Sequence, residues 1–181
     1  MRWIAKYIDV IHMLLLFHSF VKSNFTYADI IWHFTSIEST IKMEKVQRRA
    51  LRIVYNKYNV SYVDLLNMAS VPSLYVSRLK SIAIEAFKCI HKLNPSFLHP
   101  IVDVKDMHYF LRDRNRLTQP NSSTVMFGIK SFTYEASRIW NLLPPTLKNI
   151  HDLDAFKQRI KMWKGPQCMC QNCVLCTINR M

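Results

Sequence analysis

The stretch IESTIKMEKVQRRALRIVYNK, residues 37–57, decides the fold. Met43, Val46, Ala50 and Ile53 recur within it at spacings of three and four, the period of one helix face. They predict a buried seam. Lys42, Lys45, Arg49 and Arg52 recur beside that seam at three, four and three, and Arg48 adds a fifth cation. Ser36 or Ser39 is placed to cap the helix start. A helix that is apolar on one side and cationic on another packs on its own domain and can face phosphates. Each phosphate it neutralises releases counterions, so such binding weakens steeply with salt. The plain alternative is a solvated helix face.

The same period recurs on either side. Ile4, Ile8, Ile11 and Leu15 predict a helix face within residues 3–17, ending near Ser19, and a short helix follows from Phe25 to Phe34. Ser61, with Asp64 three residues on, predicts a capped helix to Met68. Pro72 is placed to open a helix that carries Val76, Leu79, Ala83, Ala86 and Ile90 on one side, flanked by Ile82 and Cys89; Asn94-Pro95 ends it. Phe132, Ala136, Ile139, Trp140 and Leu143 mark another, stopped by Pro144-Pro145. Phe156, Ile160 and Trp163 mark the last, from Asp152. Only Thr124 to Phe127 reads as strand. The pattern predicts a mainly α fold. It is a helical bundle with a short irregular or β-hairpin-like insertion near 110–130 and a Cys-rich C-terminal tail. The expected divisions are 1–98, 99–165 and 166–181.

Composition narrows the function. Lys and Arg number 25 against 12 Asp and Glu, a formal net charge of +13, which points to a polyanionic partner, RNA or DNA. Two glycines, Gly128 and Gly165, cannot build a Gly-rich phosphate cradle. The apolar run Met13 to Phe17 is hemmed by Lys6, Asp9, His12 and His18, too short to span a bilayer, and it lacks a small-residue cleavage site. An intracellular chain, nuclear or cytoplasmic, is expected. A peripheral membrane role through an amphipathic helix at 3–17 remains a lesser alternative.

Three further motifs bear on chemistry. Arg112, Arg114 and Arg116 alternate beside Tyr109 and Phe110, so on an extended segment they point one way and suit a single-stranded nucleic acid. The plain alternative is a loop knitted to Asp103, Asp106 and Asp113 by surface salt bridges. Cys168, Cys170, Cys173 and Cys176 crowd into nine residues, two pairs at chelate-loop spacing. A structural zinc site leads there, with redox-active thiols and disulfides as the other readings. Phe25-Thr26-Tyr27-Ala28-Asp29 imitates a polymerase acidic box, but Ile30 stands where a second carboxylate is needed. No nucleophile elbow or His-Glu metal motif is present, so no catalytic residue and no small-molecule substrate are expected.

The order of these segments resembles the C-terminal region of the reverse transcriptase of non-LTR (LINE-type, jockey-like) retrotransposons. The resemblance rests on Phe20-Val21-Lys22-Ser23-Asn24-Phe25-Thr26-Tyr27 to Ile31-Trp32-His33-Phe34, and on Ile41 to Arg52. It continues through Phe87-Lys88 to Leu93-Asn94-Pro95-Ser96-Phe97, Leu111-Arg112-Asp113, and Phe127-Gly128 to Ser131-Phe132. It ends with Ile139-Trp140-Asn141-Leu142-Leu143-Pro144 and Phe156-Lys157 to Trp163-Lys164-Gly165-Pro166 with the cysteines. The resemblance covers about residues 11–176. It implies a thumb and C-terminal extension that help hold template, primer and target, the basic helix lying near a duplex backbone. The catalytic palm and the endonuclease are missing, so the resemblance carries over no polymerase or nuclease activity. Self-association through surface that once packed on the palm is the rival expectation.

Overall fold

The computed structural model describes Trp3 and residues 7–102, 116–166 and 173–179. Among these residues the chain is mainly helical, with almost no strand. Ten helices follow in order: α1 (Val10–Leu16), α2 (Ser23–Thr26), α3 (Asp29–His33), α4 (Ile37–Tyr55), α5 (Tyr62–Ala69), α6 (Leu74–Ile90), α7 (Phe132–Leu142), α8 (Pro145–Lys148), α9 (Leu153–Met162) and α10 (Val174–Asn179). The described chain forms two compact units, one of residues up to Arg78 with the C-terminal stretch 173–179, the other Leu79–Pro166. The boundary between them falls inside α6, after Arg78.

In the first unit, α1 and α2 are joined by a π-helical stretch, Phe17–Lys22, into one helical run. The sequence pattern places an end near Ser19, but the helix continues. The reason is local. Asn24 Nδ2 donates to Phe20 O at 2.5 Å, Thr26 Oγ1 donates to Lys22 O at 3.2 Å, and Ser23 Oγ donates to Ser19 O. Such back-bonding to preceding carbonyls lets polar residues stay helical and widens the turn. The predicted face also rotates. Met13 and Phe17 are buried and Ile8 packs against them, whereas Ile11 and Leu15 are 69% and 58% exposed. Met13, Phe17, Leu51, Val54, Tyr62, Leu65 and Val71 form the core, with Ile178 from α10 inserted among them. Within the Cys-rich tail, Val174–Asn179 is therefore helical and anchored through Ile178.

In the second unit, α6 buries Leu79, Ile82, Ala83 and Ala86 as its period predicts, and Phe87 in addition. Phe87 stacks on Phe156 of α9 with centroids 4.4 Å apart, and Trp140 of α7 packs near both, at 6.4 and 6.0 Å. Offset and edge contacts of this kind add about 0.5–1.5 kcal/mol per pair beyond area burial. Ser131 and Asp152 cap α7 and α9 by accepting from the backbone N–H of Tyr134 and Ala155 at 3.3 and 2.8 Å. Lys80 Nζ donates to Lys161 O, on the last turn of α9, at 2.6 Å, a cation at the negative end of a helix. The strand expected at Thr124 to Phe127 is instead a π-helical turn, Val125–Ile129, closed by Lys130 N–H to Val125 O at 3.0 Å. No strand lies beside it among the described residues, so its backbone groups pair locally. A Cβ at Gly128 would collide with the Ser122 side chain, which makes glycine necessary there.

Helix ends show how a glycine-poor chain turns. Asn56, Ser70 and Lys92, just past α4, α5 and α6, sit at φ 50°, 51° and 54°. Each allows the following N–H to reach back: Lys57 to Arg52 O, Val71 to Leu66 O and Leu93 to Lys88 O, at 3.2, 3.1 and 2.8 Å. This is the left-handed closure that usually recruits glycine. The same closure, not Asn94-Pro95, ends α6. A side chain in that region costs about 1 kcal/mol. Ser70→Gly and Lys92→Gly should each raise stability by up to about 1 kcal/mol in urea unfolding. A loss of stability in both would show that the closures are not as described.

Candidate nucleic-acid interface

Helix α4 carries the candidate site. Ser36, the first of the two expected caps, accepts from Ser39 N–H at 3.2 Å. The buried residues of α4 are Thr40, Glu44, Gln47, Ala50, Leu51 and Val54. The expected seam was Met43, Val46, Ala50 and Ile53, but Val46 is 51% exposed and Met43 and Ile53 are half-buried. At 100° per residue the real seam is turned by about a quarter of a revolution. Apolar spacing alone misses this because three of the buried residues are polar.

Two of those polar residues, Glu44 and Gln47, meet at the Tyr62 hydroxyl. Glu44 accepts from Tyr62 OH at 2.5 Å, Leu74 N–H at 3.3 Å and Tyr75 N–H at 2.7 Å. Tyr62 OH lies 3.1 Å from Gln47 Oε1, and Gln47 Nε2 donates to Pro72 O at 3.3 Å. The Glu44 carboxylate thus covers two unpaired amides at the start of α6, where an anion is favoured. Ser73 caps the same terminus by accepting from Val76 N–H at 3.3 Å. Ser73, rather than Pro72, therefore starts the helix. Burial pushes the Glu44 carboxyl up, against the lowering effect of its hydrogen bonds, and both burial and the Glu44 charge push the Tyr62 phenol up. Sequence reasoning missed this cluster. Its one signal is that Thr40, Glu44, Gln47, Leu51 and Val54 also recur at three and four.

The rotation decides which cations reach solvent. Lys42, Lys45 and Arg49 are exposed on the face opposite the seam, and among the described residues none is paired with a carboxylate. Arg48 and Arg52 are half-buried, each with its Nε enclosed and lacking a hydrogen bond. Burial and the neighbouring Arg52 charge lower the Arg48 guanidinium from its ordinary range. The five expected cations, four in a stripe with Arg48 beside them, therefore resolve into three presented cations and two that flank them. Val46 is exposed within the same face, and Glu38 stands at its N-terminal end.

The remaining predicted residues divide. Arg116 is exposed; Arg112 and Arg114 lie outside the described residues. Cys168 and Cys170 also lie outside them. Cys173 Sγ accepts from Cys176 N–H at 3.4 Å at the start of α10. Among the described residues no three His, Cys, Asp or Glu side chains are grouped to hold a metal ion. Tyr27-Ala28-Asp29 sits on a tight break between α2 and α3, with Ala28 at φ 52°. No described helix is long and apolar enough to cross a membrane. No family model, curated protein or solved structure matches the chain.

Glu44→Ala would leave two backbone amides without their acceptor and is expected to destabilise the first unit by about 2–4 kcal/mol. The pH dependence has a definite sign. The folded-state value lies above 4.5, so this group's contribution is full below pH 4.5 and is lost as pH rises through the folded value. Glu44→Gln does not titrate. Urea midpoints between about pH 4 and 8 should show wild type losing stability relative to this variant as pH rises. A constant difference would refute the assignment.

Proposed function

We propose that this chain grips nucleic acid and does no polymerase chemistry, as a thumb and C-terminal extension taken from a non-LTR retrotransposon reverse transcriptase. One observation carries the binding reading: Lys42, Lys45 and Arg49 stand in a row on a solvent face of a capped helix, and among the described residues none of them is ion-paired with a carboxylate. Rows of this kind bind phosphates with little preference for sequence. Both compact units are basic in their own right. The first unit holds 11 Lys and Arg against 5 Asp and Glu, a net +6, and the second 14 against 7, a net +7. The retrotransposon origin is supported by the order of motifs from Phe20 to Cys176. In such a part, the helix would lie along a duplex backbone while the acids of catalysis belong to the palm.

Retention of labelled RNA and DNA at rising salt tests this reading. Wild type should bind both at low salt, and log K should fall linearly with log salt. Lys42→Ala/Lys45→Ala/Arg49→Ala should reduce that slope by about 2–3 on duplex DNA. No binding at low salt, or binding indifferent to salt, would sink it.

A second reading has its own support. Ile11, Leu15, Phe20 and Ile31 are 69%, 58%, 66% and 71% exposed in the first unit. Exposed apolar side chains in such number favour self-association. On that reading Ile11→Gln/Leu15→Gln shifts the chain towards monomer in light scattering, and a wild type already monomeric rejects it.

A further inference from the structure

We propose that Asn141 is a positioning residue, holding Arg116 outward as a polyanion contact of the second unit, separate from α4. The inference rests on the nucleic-acid reading above. Leu117 N–H donates to Asn141 Oδ1 at 2.9 Å, and Asn141 Nδ2 donates to Leu117 O at 3.1 Å. One side-chain amide thus takes both backbone groups of a single residue, as a neighbouring strand would. The clamp stands on firm ground. Asn141 follows the buried Ile139 and Trp140 on α7, and Lys148 Nζ donates to its carbonyl at 3.3 Å.

The clamp fixes direction as well as place. Leu117 is 2% exposed, and the residues on each side, Arg116 and Thr118, are exposed. With both backbone groups of Leu117 held and its side chain inward, its neighbours are turned out. Arg116 makes no hydrogen bond or ion pair with any described residue. A charged side chain on a pinned backbone binds a phosphate without first ordering the chain beneath it. That saving makes preorganised contacts tight.

Clamp and contact leave different signatures in salt titrations of the full chain with labelled mixed-sequence oligonucleotides. Arg116→Ala removes a phosphate contact, so the slope of log K against log salt should fall by about 0.9 on duplex DNA. Asn141→Ala keeps the arginine and loses only its preorganisation. Affinity should drop about 3–10-fold while the slope stays at the wild-type value. The decisive arm is the double variant: in an Arg116→Ala background, Asn141→Ala should have no further effect. If Asn141→Ala melts the second unit by circular dichroism, Asn141→Ser, too short to span both groups, takes its place in the cycle. An Asn141 effect that persists undiminished without Arg116 overturns the proposal. So does an Arg116→Ala slope equal to that of wild type. Should the α4 triple variant lose binding while the Arg116 and Asn141 variants keep it, this inference fails and the nucleic-acid reading stands. No binding by wild type removes both.

Discussion

The Glu44 carboxylate ties the first unit together. It reaches the phenol of Tyr62 on α5 and two amides at the start of α6 in one cluster. Those amides begin a helix and have no partner within it. A buried carboxylate is costly unless its oxygens are bonded, and here three donors meet them. The cluster therefore imposes a rotation on α4: only one setting of the helix brings Glu44 and Gln47 inward together.

That rotation has a consequence on the other side of the same helix. Turning Thr40, Glu44 and Gln47 inward turns Lys42, Lys45 and Arg49 to solvent and draws Arg48 and Arg52 partly back. The hydrogen bonding of the core and the charge pattern of the surface are one geometric fact. An apolar seam at Met43 and Val46 would have presented a different set of cations. The exposed cations of α4 are thus held in register by polar groups buried on the other side of the helix.

The second unit solves a similar problem with different chemistry. Its core is aromatic, Phe87 on Phe156 beside Trp140, and its clamp is the amide of Asn141 around Leu117. In both units a side chain satisfies backbone groups that no regular element supplies. The scarcity of glycine fits this pattern. Helices close at Asn56, Ser70 and Lys92, where the chain accepts a left-handed residue in order to pair its last carbonyls.

Much of this was legible in the residue pattern. Period alone located α4, α6, α7 and α9, and Ser36, Ser61 and Asp152 marked the starts of α4, α5 and α9, because these signals are local: apolar spacing and short side chains that cap the next turn. The basic character and the five cations of α4 were equally legible, since charge is a property of composition. The facing of α4 was not, because Glu44 becomes an inward residue only when Tyr62 and the first turn of α6 stand beside it. The π-helical turn at Val125–Ile129 was hidden for the converse reason: its strand-forming residues find no strand to pair with among the described residues. The sequence by itself determined a helical, strongly basic chain. Which cations reach the solvent was decided by tertiary contacts, through where the buried polar groups could find their hydrogen bonds.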